Sequence, residues 1–231
     1  MARLARLYAP DIPQLLQARF VPEAPGSARS LERVTHWMTE ELRGKSIAVH
    51  AWVVLPDQWL ALATPGGPRE LPRLVQGMGR RLATDWGGAV FAGRYHSALV
   101  EPGNWVLRAM LWLESQPVLR GLVADAEQWR LGSTGAHTGA GISSVVVDHP
   151  DYWASGNTPF DRQARYREAL QAGIAPDSRK AIERALHGQW ALGDPAFVAA
   201  LETGERRAVP AKRGRPKKRL DEVSGTDQPK S

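Results

Sequence analysis

Chemistry near neutral pH needs a nucleophile, an acid–base pair or metal ligands at workable spacing, and this sequence is sparing with all three. Its histidines are His36, His50, His96, His137, His149 and His187, and no two of them are spaced to hold a metal from one strand or one helix face. There is no Cys, which removes a thiol nucleophile, a disulfide framework and Cys-ligated zinc. No Gly-x-Ser-x-Gly elbow, phosphate loop or dinucleotide fingerprint occurs. Gly77-x-Gly79 falls inside a helical pattern and reads as packing or local flexibility. His50 sits mid-strand and reads as a packed or hydrogen-bonded structural residue. His96, just after Arg94-Tyr95, reads equally as a phosphate contact or a surface residue. Neither a metal nor another cofactor is expected.

Anion-binding groups are better represented. The chain has 231 residues and a formal net charge of +6. Residues 206–231 hold nine Lys/Arg and three Asp/Glu, whereas residues 1–205 hold 21 of each sign. A neutral body therefore carries a basic arm. Within the arm, Lys212-Arg213-Gly214-Arg215-Pro216-Lys217-Lys218-Arg219 places Gly-Arg-Pro between basic residues. Gly permits close approach to a groove floor, Pro keeps the chain extended, and Arg suits a narrow A·T minor groove. The segment looks like an AT-hook; the plain alternative is a solvated basic tail. In the body, Arg80, Arg81 and Arg94 are the candidates for following a phosphate backbone, with a solvated helix face as the alternative for the first two.

These groups need elements to hold them. A first strand falls within residues 2–20, and residues 21–28 read as a loop. Ser30 is placed to cap a helix running to about Leu42, with Leu31, Val34, Trp37, Met38 and Leu42 at helical spacing. Residues 46–55 are apolar and β-branched; Pro56-Asp57 interrupts them and residues 58–63 resume, which predicts a hairpin. A second helix spans about Glu70 to Trp86 and stops at Gly87-Gly88. His96 to Val100 is a short strand, and Asn104 is a candidate cap for a helix from Trp105 to about Ser115. This order is the split βαβ, ferredoxin-like pattern. The expected fold is α+β: an antiparallel sheet with helices on one face in residues 1–131. A flexible Gly/Ser/Thr-rich linker follows at 132–148, then a small helical appendage at 149–204, then a disordered basic tail at 205–231. Helices are expected at 160–172, at 177–187 and near Pro195–Leu201, the last capped by Asp194. No run approaches the roughly 20 apolar residues of a membrane span. No signal peptide is read, so a cytoplasmic, nucleoid-associated protein is expected.

Several landmarks in order resemble one family, the REP-associated tyrosine transposases, relatives of the HUH-type single-strand transposases. They are His50-Ala-Trp-Val-Val-Leu-Pro56, Gly93-Arg-Tyr-His-Ser-Ala-Leu-Val100 and Leu113-Glu-Ser-Gln-Pro-Val-Leu-Arg-Gly-Leu-Val123. Beyond these stand Trp129, His149-Pro150, Arg165-Tyr166-Arg167, Ala191-Leu-Gly-Asp-Pro-Ala-Phe197 and Arg213-Gly-Arg-Pro-Lys-Lys218. The resemblance implies metal-dependent cutting of single-stranded DNA at hairpins, with two His as ligands and a Tyr attacking the phosphate. It also places those ligand positions at Gln58 and Leu60, and the Tyr position at Trp112. All three family residues are replaced. Asp57 and Glu114 would be carboxylates near that site, and Trp59 and Trp112 would fill its space or stack unpaired bases. The expectation is a catalytically inactive DNA-binding protein on a transposase-like fold, recognising hairpin or single-stranded DNA or A·T-rich DNA. A homodimer is possible by resemblance. The competing expectation is an active transposase reorganised around another nucleophile, such as Tyr95.

Overall fold

A computed structural model of the chain describes residues 5–22, 30–201 and 206–210. The basic motif at 212–219 lies outside the described residues, as does most of the expected tail. Strands β1 (Gln14–Arg19), β2 (Ile47–Leu55), β3 (Gln58–Pro65) and β4 (His96–Leu99) form one antiparallel sheet in the order β2-β3-β1-β4. Helix α1 (Glu32–Leu42) connects β1 to β2, and α2 (Glu70–Trp86) connects β3 to β4. This is the split βαβ arrangement read from the sequence.

Strand alternation divides the core in two. Leu16, Ala18, Trp59, Ala61 and Ala63 face α1 and α2, where they meet Val34, Met38, Leu74, Met78 and Leu82. Leu15, Val53, Leu55, Leu60, Leu62 and Ala98 face the other way, into a second core. That core is built from α3 (Val106–Glu114), with Val106, Ala109, Met110 and Leu113, and from α7 (Pro159–Ala172) and α8 (Pro176–Gly188). Helices therefore cover both faces, whereas only the α1/α2 face was expected to be covered. The helices from residue 149 onward are the second layer of the core, not an appendage to it. The physical reason is in the strands: nearly every residue of β2 and β3 is buried, and two apolar faces require two covers.

The segment 132–148 also differs from the flexible linker expected of it. It closes the free edge of β2. Val54 N–H donates to the Leu131 carbonyl (2.8 Å), Ser133 N–H to Trp52 (2.9 Å) and Val147 N–H to Val49 (2.8 Å). Gly132 is needed there, since a Cβ would stand 3.2 Å from the Trp52 carbonyl oxygen. The β4 edge is closed in the same way: Leu192 N–H donates to Leu99 (2.7 Å), and Glu101 N–H to Leu192 (2.9 Å). Open edges invite pairing with other chains; the 132–148 segment pairs along β2, and Leu192 pairs at the C-terminal end of β4.

Short helices complete the second layer: α4 (Gln116–Leu119), α5 (Thr134–Thr138), α6 (Pro150–Trp153) and α9 (Pro195–Ala200). Asp194 caps α9, accepting from Phe197 N–H at 2.7 Å. Asn104 makes no cap for α3, whose first turn follows Trp105 without a side-chain hydrogen bond. Ser30 likewise turns to Glu32, donating to Oε2 at 2.8 Å, and does not cap the backbone of α1. Among the described residues no helix is long and apolar enough to cross a membrane.

Candidate functional site

The period of β3 puts Gln58 and Leu60 on the face toward α3, and the helical face of α3 brings Trp112 to the same core. Leu60 is fully buried and Trp112 nearly so. Gln58 is buried as well; its Oε1 accepts from Gln17 Nε2 at 2.6 Å. Over this region Arg120 donates to Asp57 Oδ1 at 2.5 Å, tying the β2–β3 turn to the end of α4. The structure thus brings the three positions to one side of the sheet and fills the space between them with apolar packing. The set does not fit a divalent cation. It offers one amide oxygen already in use, a leucine and an indole.

Tyr95, the other nucleophile considered, lies against the opposite core with Met78 and Phe20. The Arg6 guanidinium stacks on its ring at 3.6 Å from the centroid. Burial pushes its phenol up to about 12, against the pull of Arg6 and Arg94. It is neither beside Trp112 nor poised as an oxyanion.

A polar cluster forms within the second core instead. Glu114, completely buried at the end of α3, accepts from the Ser133 hydroxyl, from His137 Nδ1 (2.7 Å) and from the Tyr166 hydroxyl (2.9 Å). Tyr152 donates to the His137 carbonyl at 2.8 Å. Burial lowers the His137 pKa, but the Glu114 charge and hydrogen bond outweigh it, so the imidazole sits above its usual value. Burial and the neighbouring Glu114 drive the Tyr166 phenol well up. Nearby, His50 Nδ1 meets the Val147 carbonyl (2.7 Å) and Nε2 meets Thr64 Oγ1 (2.9 Å). Burial pushes His50 down to about 4 despite that carbonyl. This matches the structural reading of His50. Glu114 stands out in the sequence as a carboxylate near the positions the resemblance assigns, whereas its partners Ser133, His137 and Tyr166 carry no mutual spacing signal. These groups have catalytic chemistry but no access; all are enclosed, and His137 is engaged through Nδ1 while its Nε2 is buried with no hydrogen-bond partner among the described residues.

Of the three body arginines, Arg81 turns to α1, with Nε 3.7 Å from Glu41 and its guanidinium 5.2 Å from the Trp37 ring centroid. Arg80 is exposed on α2. Arg94 is exposed and lines an open groove of about 330 Å³ with Arg6, Gln76, Gly79 and Phe91. Arg81 thus has Glu41 and Trp37 of α1 as neighbours, and Arg94 shares its groove with Arg6.

No protein-family model matches the chain, and no curated protein matches it significantly. Among solved structures, the chain is similar to one described as a REP-associated tyrosine transposase bound to a REP hairpin. The TM-score is 0.53 at 14% identity, over 65% of this chain and 93% of that chain. At this identity the likeness is one of fold. The class defined here is an α+β, split βαβ protein, distantly related in fold to that hairpin-bound transposase.

Proposed function

We propose that this chain is a DNA-binding protein on a transposase-like fold that has lost strand-cleaving chemistry. Support for DNA as the partner comes from the fold, which is shared with a protein held on a DNA hairpin. Support for lost cleavage comes from the packing of Leu60 and Trp112 in one apolar core, with Gln58 bound to Gln17. This last observation carries the reading: neither a metal ligand nor a nucleophile stands at the positions that the family resemblance assigns to them.

On this reading Arg80, Arg94 and Arg6 follow the backbone of hairpin or single-stranded DNA. The basic segment Lys212–Arg219 adds affinity for A·T-rich duplex. Arg81, engaged with Glu41, contributes little. A second copy would have to dock away from the sheet edges, which the chain closes itself.

The test is a titration of a hairpin-tipped single strand and an A·T-rich duplex with full-length protein at two salt concentrations, with Mg²⁺ or Mn²⁺ present. The expected outcome is salt-sensitive binding of both and cleavage of neither. Joint replacement R213A/R215A should flatten the duplex salt slope by roughly 2 on a log–log scale and leave the hairpin largely bound. Metal-dependent cutting, or an SDS-resistant protein–DNA adduct lost in Tyr95→Phe, would overturn the reading in favour of a reorganised enzyme.

A further inference from the structure

One end of the sheet remains polar on the face that α3 and α8 otherwise seal. Gln17 on β1 stands directly opposite His96 on β4. Two residues along the same face of β1, Arg19 is exposed. From α8, His187 is exposed, and its ring lies 6.1 Å from that of His96 between centroids. The Gln17 amide already spans to Gln58, so the polar row runs across three neighbouring strands. His96 Nδ1 is enclosed and has no hydrogen-bond partner among the described residues. The ring therefore meets solvent through Nε2. The charged or titratable groups that act electrostatically on His96 are His187 and Arg19, and Arg6 from the groove on the other sheet face; all of them are basic. On α8, His187 shares a shallow hollow with Asp177, Lys180, Glu183 and Arg184. Of these, Glu183 is engaged by Arg179 at 2.8 Å.

We propose that this end of the sheet, with His96 and His187 as jaws and Arg19 beside them, is a metal-free binding site for a phosphate group of a DNA backbone. The permanently charged Arg19 and the imidazoles of His96 and His187, brought together from β1, β4 and α8, offer donors for a tetrahedral oxyanion. The site lies on the opposite sheet face from the Arg94 groove, so a strand touching both must pass around the β4 side. That the phosphate belongs to DNA rests on the proposed function; that the site takes phosphate does not.

Proton linkage follows from the surroundings. Burial, and after it His187, Arg19 and Arg6, lowers the His96 pKa in the free protein. A bound phosphate offsets that positive field and restores the imidazolium. Binding then takes up a proton, and affinity rises as pH falls, by at most about tenfold per pH unit for one proton.

The experiment is a side-chain ¹H–¹⁵N NMR titration of full-length protein with inorganic phosphate, and separately with a hairpin-tipped DNA strand. Chloride at matched ionic strength is the control. The expected result is that the His96 and His187 imidazole signals move together with phosphate and not with chloride. The His96 titration midpoint rises, and R19A and H187A each weaken binding at least threefold. Both substitutions are at exposed positions, so folding is not at stake. Signals unmoved by phosphate, or moved equally by chloride, overturn the site. If phosphate moves the signals and bound DNA does not, the DNA assignment of this site fails. If DNA fails to bind anywhere while phosphate moves them, the site stands and the proposed function falls.

Discussion

Two buried regions beneath the same sheet face make opposite use of their residues. Around Leu60 and Trp112 the side chains are apolar and pack in one buried cluster with Val53, Leu55 and Met110. Two residues further along α3, Glu114 gathers Ser133, His137 and Tyr166 into a hydrogen-bonded cluster just as buried. The first region has the place for chemistry without the residue types. The second has the residue types without the access. The difference teaches that residue identity and location must coincide before a site is read. A buried acid with a histidine and two hydroxyl groups is here a fastener between α3, α5 and α7. The second region is costly where it is incomplete: His137 Nε2 has no hydrogen-bond partner among the described residues, and an unpaired polar atom in a low-dielectric core costs more than a made hydrogen bond returns.

The comparison can be broken by mutation and by pH. The largest effect is expected from Trp112→Ala, which empties the apolar region; chemical denaturation should show a loss of about 3–5 kcal/mol. A loss under 1 kcal/mol would mean the core there is loosely packed and the site accessible. Acid should act on the polar side. The His50 pKa is lowered from its usual 6.5 to about 4 in the folded chain, so below pH 6.5 the unfolded chain binds a proton that the folded one refuses. Stability should fall as pH drops from 6.5 towards 4, by at most about 3 kcal/mol, and His50→Gln should flatten that slope. His137 has the opposite sign. Its raised pKa stabilises fully below about pH 6.5, and that contribution fades as pH rises through the folded value. Glu114→Gln keeps the shape but removes the charge. It should cost about 2 kcal/mol and abolish the alkaline fade, read from denaturation midpoints at pH 6 and pH 9. The smallest effect belongs to the rim: Asp57→Asn breaks a solvent-exposed pair with Arg120 and should cost no more than about 1 kcal/mol.

Legibility followed the range of the interactions. The β2–β3 hairpin was plain, because an apolar run broken by Pro56-Asp57 is a local signal. Helices α7 and α8 were found within a residue or so, and Asp194 was recognised as a cap. The segment around Thr134–Thr138 was not legible. Its small, polar composition reads as loop, and what buries it is Glu114 and the edge of β2, far off in sequence. The second helical layer was missed for the same reason: α8 shows its apolar face but not the surface that face meets. In the site, Gln58, Leu60 and Trp112 were singled out by resemblance alone, whereas their packing is a finding of the structure. Arg80 and Arg81 look equivalent in sequence, and only the nearness of Glu41 separates them. The pairing of His96 with His187 joins two elements far apart in the chain and has no trace in the sequence of either.

The closed sheet edges carry a consequence for the order in which this protein is made. Ser133, which seals β2 at Trp52, lies 81 residues downstream. Leu192, which seals β4, is later still. A nascent chain that has emerged only as far as α3 holds all four strands but neither seal. During that interval of translation both margins of the sheet are available to another nascent chain on the same messenger. Crowding of ribosomes is thus the condition under which this fold is most exposed to mispairing, and release of the last third of the chain ends that exposure.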